Sequence, residues 1–181
     1  MPPHPDLLET LRQAQRFGFF GSRPIEEAIE HSRSFVAALA SHQLVSIIDL
    51  GSGGGLPGLV VADAYRHTSV VLVDRREKRT DFLQRVSLRL GFDHVAVVAG
   101  DVDGVCRQVE AGAMAPFSAV TARGFGPPDM TLRYARRLVS CGGVIVISEP
   151  PSGNRWDALL LDELGLTSEL VGQVRVFRCF T

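Results

Sequence analysis

Five glycines occur within the eight residues GSGGGLPG, from Gly51 to Gly58, and this cluster constrains the fold more than any other feature of the sequence. It follows the short apolar run VSIIDL and leads into a second apolar run, GLVVADA. Glycine weakens both helices and strands, so a cluster this dense requires a local cause. We interpret it as a turn between a strand and a helix, against which another group packs closely.

Around this turn, apolar segments typical of strands alternate with segments of helical periodicity. Five strands (45–50, 69–74, 94–100, 117–122 and 142–148), and one or two more within 170–180, alternate with helices predicted at 57–65, 76–90, 129–139 and 154–164. The continuous runs VVLV and VIVI are typical of parallel strands buried on both faces. The alternation predicts an α/β fold with a doubly wound, mostly parallel sheet of the Rossmann-like type. Because helices predicted at 6–17 and 24–40 precede the sheet, we divide the chain into a helical lead, 1–44, and one compact α/β unit, 45–181.

The composition is that of an ordinary globular domain. The 181 residues are 45% hydrophobic and 22% charged, with a formal net charge of −1, which argues against strong non-specific affinity for nucleic acid. No apolar run is long enough to predict a membrane span, and the first residues are neither apolar nor basic enough for a signal peptide. Cys106, Cys141 and Cys179 are too widely spaced for a zinc site or a disulfide framework. We therefore expect a cytoplasmic protein with free thiols and no metal.

The charge is unevenly distributed along the chain. Residues 75–89 carry six basic side chains against two acids, Glu77 and Asp81, and Lys78 is the only lysine in the sequence. Arginine suits bidentate phosphate contacts. A compositional bias of the genome would give the same excess of arginine over lysine, so both explanations stay open.

Two adenosine-containing ligands fit the glycine turn. Residues 53–58 match G-x-G-x-x-G, the dinucleotide fingerprint. A pyrophosphate, however, needs free N–H groups at the start of the helix, and Pro57 removes one of them. The same stretch also contains an acid followed by three alternate glycines, from Asp49 to Gly55. That is the first motif of methyltransferases that use S-adenosylmethionine, whose loop requires close approach rather than anion binding.

Acids also follow the second and third predicted strands. Asp74 ends SVVLVD, where a carboxylate can accept both ribose hydroxyls; the alternative is an exposed acid that caps the next helix. Asp101 and Asp103 follow the third strand, where an acid can accept the adenine amino group while a backbone N–H, such as that of Val102, meets a ring nitrogen. The alternative there is an ordinary turn rich in Asp and Gly. Glycines, a ribose acid and an adenine acid thus follow in chain order, which favours an S-adenosylmethionine pocket.

These segments resemble a particular family. Bacterial methyltransferases that form 7-methylguanosine in 16S ribosomal RNA, also called glucose-inhibited division protein B, have segments similar to RFGFFGSRPIEEAIEHS, DLGSGGGLPGLVVA, VLVDRREKRTDFLQRVSLRLGF and FSAVTARGFGPPDMTLRYARRLVSCGGVIVI. The resemblance covers roughly residues 16 to 150. It implies a class I methyltransferase fold, S-adenosyl-L-methionine as the cofactor, and 16S ribosomal RNA or the small ribosomal subunit as the partner.

The resemblance also implies roles for individual residues. Arg123, in the segment TARG, matches a signature arginine beside the reacting groups and is the predicted catalytic residue. It either hydrogen-bonds guanine O6 or a phosphate, or it forms a structural salt bridge. The predicted cofactor-binding residues are Asp49, Gly51, Ser52, Gly53, Gly55, Leu56, Asp74, Arg75, Asp101, Val102, Asp103 and Arg123. Phe19, Phe20 and Phe125 are candidates for stacking on a flipped base, with core packing as the favoured alternative.

The chain departs from the family at several positions. Asp101 stands where the family usually has arginine, and Ser148 and Glu149 replace a Lys-Gly pair, which predicts a negative site after the fifth strand. The N-terminal region is short and lacks the family's Asn-Leu-Thr segment, so we expect a divergent, N-terminally shortened member. The favoured function is a methyltransferase acting on guanine N7 in 16S RNA. The alternatives are a paralogue that methylates a small molecule, a non-catalytic cofactor-binding module and, more distantly, a nicotinamide oxidoreductase; the oligomeric state is open.

Overall fold

The computed structural model describes residues 3–150 and 155–179, which form one seven-stranded sheet with helices on both faces. The strands are β1 (Ser46–Leu50), β2 (Ser69–Asp74), β3 (Val95–Ala99), β4 (Phe117–Ala122), β5 (Val139–Ser148), β6 (Leu166–Val171) and β7 (Val174–Cys179). The helices are α1 (Leu7–Arg16), α2 (Ile25–Leu39), α3 (Gly58–Ala64), α4 (Glu77–Arg89), α5 (Val102–Glu110), α6 (Pro128–Leu138) and α7 (Ala158–Glu163). The sheet order is β3-β2-β1-β4-β5-β7-β6, with β7 antiparallel to both of its neighbours. The predicted doubly wound, mostly parallel α/β sheet is confirmed.

The centre of the sheet is β1, which pairs in parallel with β2 on one side and β4 on the other. From β1 the chain moves outward through β2 to β3, then crosses back to β4 and moves outward again to β5. In register across the three central strands lie Leu72, Asp49 and Thr121. The strand order therefore reverses at the carboxyl ends of β1 and β4, which is where open α/β sheets bind their ligands.

Two apolar layers cover the faces of this sheet. The helices α1 to α4 form one layer, whose fully buried side chains include Leu11, Phe35, Leu59 and Leu83. The helices α5, α6 and α7 form the other, whose buried side chains include Val105, Leu132 and Leu160. Burying each such Leu or Phe side chain stabilises the fold by roughly 1.5–3 kcal/mol. Because α1 and α2 share the core of α3, the helical lead is packed directly onto the α/β unit.

The helix α5 is absent from the sequence prediction. It begins after Asp101, whose side chain accepts a hydrogen bond from Asp103 N at 3.2 Å. Gly104 and these two acids give the segment the composition of a turn, and a glycine inside a helix costs about 1 kcal/mol relative to alanine. Val102, Val105 and Cys106 are nevertheless buried on one side. This spacing of apolar residues is the signal that identifies the helix.

The last two strands form a hairpin that the sequence predicts only in part. The sequence predicts strand residues from position 170 onward, whereas β6 begins at Leu166 and includes polar residues between 167 and 169. These residues suit an edge strand, which pairs on one side only. The predicted helix at 154–164 corresponds to the shorter α7. Residue 154 of that predicted helix, and residue 180 of the predicted strand region 170–180, lie outside the described residues. Among the described helices, none has both the length and the apolar character required to cross a membrane.

Candidate active site

The glycine cluster forms a turn that is packed between two aromatic rings. Gly51 has a φ of +65°, and a Cβ at this position would lie 2.8 Å from the ring of Phe125. On the other side of the turn, a Cβ on Gly54 would lie 2.6 Å from the ring of Phe20 in the helical lead. Glycine is therefore required by backbone conformation at the first position and by close approach at both. The sequence predicts that another group packs closely against this turn, and the rings of Phe125 and Phe20 are part of that group.

Asp74, at the carboxyl end of β2, stabilises this turn by accepting backbone hydrogen bonds. Its Oδ2 accepts a hydrogen bond from Gly53 N at 2.9 Å, and its Oδ1 accepts one from Arg76 N at 2.9 Å. Nη1 of Arg79 lies 3.4 Å from Oδ2. The side chain is 4% exposed, so Asp74 is not the exposed acid of the alternative interpretation. Since a carboxylate has about four acceptor sites, it keeps capacity for a further donor.

Asp49, near the end of β1, supports the turn from inside and is only 1% exposed. Thr121 Oγ1 donates to its Oδ1 at 2.7 Å, and Ser52 Oγ donates to its backbone carbonyl at 2.9 Å. Its Oδ2 has no hydrogen-bond partner among the described residues. Burial raises the pKa of Asp49 to about 6, although the hydrogen bond from Thr121 opposes this shift.

Two adjoining cavities open beside the turn. The first, which we call the strand cavity, measures about 490 Å³ and is lined by the ends of β2 and β3 and the loop after β4. The second, which we call the lead cavity, measures about 520 Å³ and lies between the turn and the helical lead. Gly51, Arg79 and Gly124 line both, so the two cavities meet at the carboxyl ends of β1 and β4.

Most of the predicted site residues line one of these cavities. The strand cavity includes Gly51, Asp74, Arg75, Asp101 and Val102. The lead cavity includes Gly51, Ser52, Gly53, Leu56 and Arg123. Asp49, Gly55 and Asp103 line neither.

Asp103 is directed away from the strand cavity. Its carboxylate forms ion pairs with Arg107 and with Arg137, the latter at 2.7 Å. The hydrogen bond from Arg137 is the main reason why the pKa of Asp103 lies below its ordinary value. Of the two acids that follow β3, only Asp101 lines the strand cavity.

Arg123 follows β4 directly and lines the lead cavity. Its Nη1 donates to the backbone carbonyl of Ala28 in α2 at 3.2 Å. With the described residues it forms no salt bridge, contrary to the structural alternative. Burial lowers the pKa of Arg123, but a guanidinium stays charged in proteins. Because one of its five N–H groups binds Ala28, donors remain for a ligand.

Two further arginines belong to the site and were absent from the predicted set. Arg79 lines both cavities, and Arg23 lines the lead cavity. Arg79 lies in the first turn of the helix that follows Asp74, and this spacing is a usable sequence signal. Arg23 lies instead in the segment between α1 and α2, which packs on the glycine turn through Phe20, a long-range contact that no local pattern encodes.

The three candidate stacking residues have different surroundings. Phe19 packs in a ring cluster with Phe17 and Phe82, at centroid distances of 5.9 and 5.5 Å, and it also lines the lead cavity. Phe20 is half-buried and lines the same cavity. Phe125 lines the strand cavity and makes an edge contact with Tyr134 at 6.1 Å.

Glu149 does not create the negative site that the sequence predicted after β5. It is 8% exposed, and its Oε2 accepts hydrogen bonds from Trp156 Nε1 at 2.6 Å and from Arg175 Nε at 3.2 Å. Nε of Arg155 lies 3.7 Å from Oε1. Two arginines thus compensate the buried carboxylate, which lines neither cavity. The prediction was wrong because the charge is neutralised within the protein.

A profile of the GidB family, described as rRNA small subunit methyltransferase G, matches residues 10–149. This range contains the glycine turn, Asp74, Arg123 and both cavities. The chain belongs to this family. The resemblance inferred from the motifs is therefore confirmed.

Individual members of the family match a shorter part of the chain. The ribosomal RNA small subunit methyltransferase G of Novosphingobium aromaticivorans is 39% identical over 91 residues, which are 50% of this chain and 36% of that protein. The protein of the same name from Burkholderia cenocepacia is 32% identical over 125 residues, 67% of this chain and 54% of that protein. The chain thus spans about half, or less, of the length of these relatives.

Solved structures of low sequence identity share the fold. An O-methyltransferase from Bacillus cereus in complex with SAH superposes with a TM-score of 0.72 at 15% identity, covering 100% of this chain and 93% of that one. A methyltransferase from Geobacter sulfurreducens superposes with a TM-score of 0.70 at 15% identity, covering 99% and 93%. The α/β unit and its helical lead therefore have the class I methyltransferase fold.

Proposed function

We propose that the chain is an S-adenosyl-L-methionine-dependent methyltransferase that methylates N7 of a guanine in 16S ribosomal RNA. The observation that carries the proposal is the meeting of two cavities at the glycine turn, in a chain of the rRNA small subunit methyltransferase G family. Two reactants that must exchange a group need adjoining sites, because the enzyme's main task is to hold them in near-attack geometry.

The strand cavity fits the adenosine part of the cofactor. Its volume lies within the range of roughly 300–1,000 Å³ that is typical of ligand pockets. Asp74 retains capacity to accept a ribose hydroxyl, Val102 offers an apolar wall for adenine, and Asp101 offers an acceptor for its amino group. The methionine part would extend toward the junction at Gly51. When bound, this cofactor supplies an electrophilic methyl group on a sulfonium.

The lead cavity fits the acceptor base. Phe20 supplies an aromatic wall, while Arg23 and Arg123 supply donors. Guanine N7 has an in-plane lone pair and no proton, so the protein needs no general base and only has to orient the ring. A hydrogen bond from Arg123 to guanine O6 would do so, directing the adjacent N7 toward the junction of the two cavities.

A dinucleotide fits the same turn less well. Pro57 is the N-cap residue of α3, so the helix lacks one N–H group that a pyrophosphate would require. We therefore expect S-adenosylmethionine and S-adenosylhomocysteine to bind, and NAD not to bind.

The proposal is tested with purified protein, a labelled methyl donor and small ribosomal subunits that lack the modification. We expect label to enter 16S RNA, and calorimetry to give micromolar dissociation constants for the cofactor and its product. If no labelled methyl group is ever accepted by RNA, the rRNA proposal fails. Transfer to metabolites alone would identify the small-molecule paralogue, and tight cofactor binding without any acceptor would identify a non-catalytic module.

A further inference from the structure

A groove outside the two cavities lies between α1 and α4. It measures about 310 Å³ and is lined by Gln13, Phe17, Phe82, Arg85, Val86 and Arg89. We call it the α1–α4 groove. Phe17, which follows α1, is 55% exposed, although a large aromatic side chain is normally buried. Its ring contacts Phe82 edge-on at 5.9 Å, so the exposed ring is held in a fixed position.

Cations without an ion-pair partner among the described residues are concentrated on α4, which forms one side of this groove, and just before it. Of the chain's 18 arginines, 11 form ion pairs with carboxylates of the described residues. Four of the remaining seven, and the only lysine, lie between residues 75 and 89. They are Arg75, Arg76, Lys78, Arg85 and Arg89. Outside residues 75–89 most arginines pair with acids of the described residues, and within this segment most do not.

Three of these cations form a row along one edge of α4. Lys78, Arg85 and Arg89 are exposed and are spaced by seven and then four residues, which places them on one side of a helix over about 16 Å. Lys78 and Arg85 form no hydrogen bond or ion pair with the described residues. Arg89 donates only to neutral partners, Thr10 at 2.8 Å and Gln13 at 3.3 Å.

The same segment, residues 75–89, also supplies cations to the active site. Arg75 and Arg76, just before α4, line the strand cavity, and Arg79 lines both cavities. The same helix carries Glu77 and Asp81, but residues 75–89 keep a net charge of +4, from six bases and two acids. A polyanion that enters the lead cavity can therefore continue along α4 over a surface of favourable charge.

We propose that the α1–α4 groove binds a single-stranded segment of ribosomal RNA next to the methylated guanine. Lys78, Arg85 and Arg89 contact phosphates, and a base stacks on the exposed ring of Phe17. An unpaired cationic row beside a fixed aromatic ring is the combination that single-stranded nucleic acid recognises. An acidic protein segment would use the cations but has no need of the ring. The inference rests on the proposed action on rRNA.

The test uses the full chain and a fluorescently labelled short single-stranded RNA, with anisotropy measured over a range of KCl concentrations. The first variant is Lys78→Gln/Arg85→Gln, which removes two exposed charges that have no ion-pair or hydrogen-bond partner among the described residues, so the fold should stay intact. Since each phosphate contact contributes about 0.7 to the slope of log affinity against log salt, the slope should become shallower by about 1.4. The control, Arg107→Gln/Arg133→Gln, removes two exposed arginines from the opposite layer and should change the slope much less.

A second variant tests the ring. Phe17→Leu keeps the contact with Phe82 but removes the stacking face, and it should weaken RNA binding at least about fivefold without changing the salt slope. With undermethylated small subunits, both variants should raise KM while kcat and S-adenosylhomocysteine affinity stay unchanged. If the groove variants match the control in slope, affinity and KM, the inference is overturned even where methyl transfer proceeds. If the RNA effects appear but no methyl transfer occurs, the proposed function fails and the groove stands.

Discussion

Oδ2 of Asp74 accepts a hydrogen bond from the backbone N–H of Gly53 at 2.9 Å. This bond joins the end of β2 to the glycine turn that follows β1, across 21 positions of sequence. One carboxylate thus shapes the turn and also lines the strand cavity. The proposed ribose contact and the geometry of the turn therefore depend on the same side chain.

Replacing Asp74 should impair cofactor binding. Asp74→Asn loses the charge and turns an NH₂ group toward one of the N–H donors at Gly53 and Arg76. Hydrogen bonds to charged groups contribute about 1.5–3 kcal/mol, so affinity for S-adenosylhomocysteine should fall at least about tenfold by calorimetry. Asp93→Asn, an exposed acid before β3, is the matched control. An unchanged dissociation constant for Asp74→Asn would exclude the ribose role.

Replacing Arg123 should impair methyl transfer rather than cofactor binding. Arg123→Lys keeps the charge but loses the planar donor geometry, so kcat/KM for small subunits should fall by about ten- to a hundredfold, as for a lost hydrogen bond to a charged donor. S-adenosylhomocysteine affinity should stay within about threefold. The control is Arg136→Lys, because Nε of Arg136 also donates to a backbone carbonyl, that of Leu164 at 3.0 Å, away from both cavities. Equal losses of activity in the two variants would show that Arg123 has only a structural role.

The sequence predicts the fold wherever burial gives a simple pattern. The central strands contain apolar runs because both of their faces are covered. The bounds of β1, β2 and β4 were predicted to within one residue, whereas β5 begins at Val139, three residues before its predicted start. The edge strand β6 carries polar residues, and its first four residues were not predicted. The helix α5 was not predicted because Gly104 and its neighbouring acids resemble a turn.

The error at α5 also explains the error at Asp103. In a turn, both Asp101 and Asp103 could face the strand cavity. In a helix whose N-cap is Asp101, the side chain of Asp103 instead lies near Arg107 one turn later and reaches Arg137 in α6. Asp74 and Asp101 were predictable as cavity residues because the carboxyl ends of parallel strands meet at one edge of the sheet. Arg23 was not, because its position depends on long-range packing of the lead.

The buried carboxylate of Asp49 should make stability depend on pH. Its pKa is about 6 in the folded chain against an ordinary value of 3.8. The folded state therefore binds this proton more tightly, and the stability it contributes below pH 4 is lost as the pH rises through 6. The loss amounts to about 3 kcal/mol at most.

Asp49→Asn removes this titration. The free energy of unfolding of the variant minus that of the wild type should therefore rise between pH 4 and pH 8, by up to about 3 kcal/mol. Urea unfolding at a series of pH values measures the difference, and any constant cost of the amide cancels from its slope. Asp93→Asn should give a nearly flat difference. A flat difference for Asp49→Asn as well would mean that Asp49 is not stabilised in its protonated form.

The ion pairs of Glu149 should contribute to stability and not to cofactor binding. Glu149→Gln keeps an acceptor for Trp156 Nε1 but leaves Arg175, whose side chain is 14% exposed, without its carboxylate. Removing one partner of a buried pair leaves an uncompensated charge, so the free energy of unfolding should fall by about 2 kcal/mol or more. Glu163→Gln breaks an exposed pair with Arg133 and should cost about 1 kcal/mol or less. Urea midpoints measure both values, and calorimetry should give unchanged S-adenosylhomocysteine affinity for both variants. A gain in cofactor or RNA affinity in Glu149→Gln would instead mean that the negative charge reaches the active site, as the sequence alone suggested.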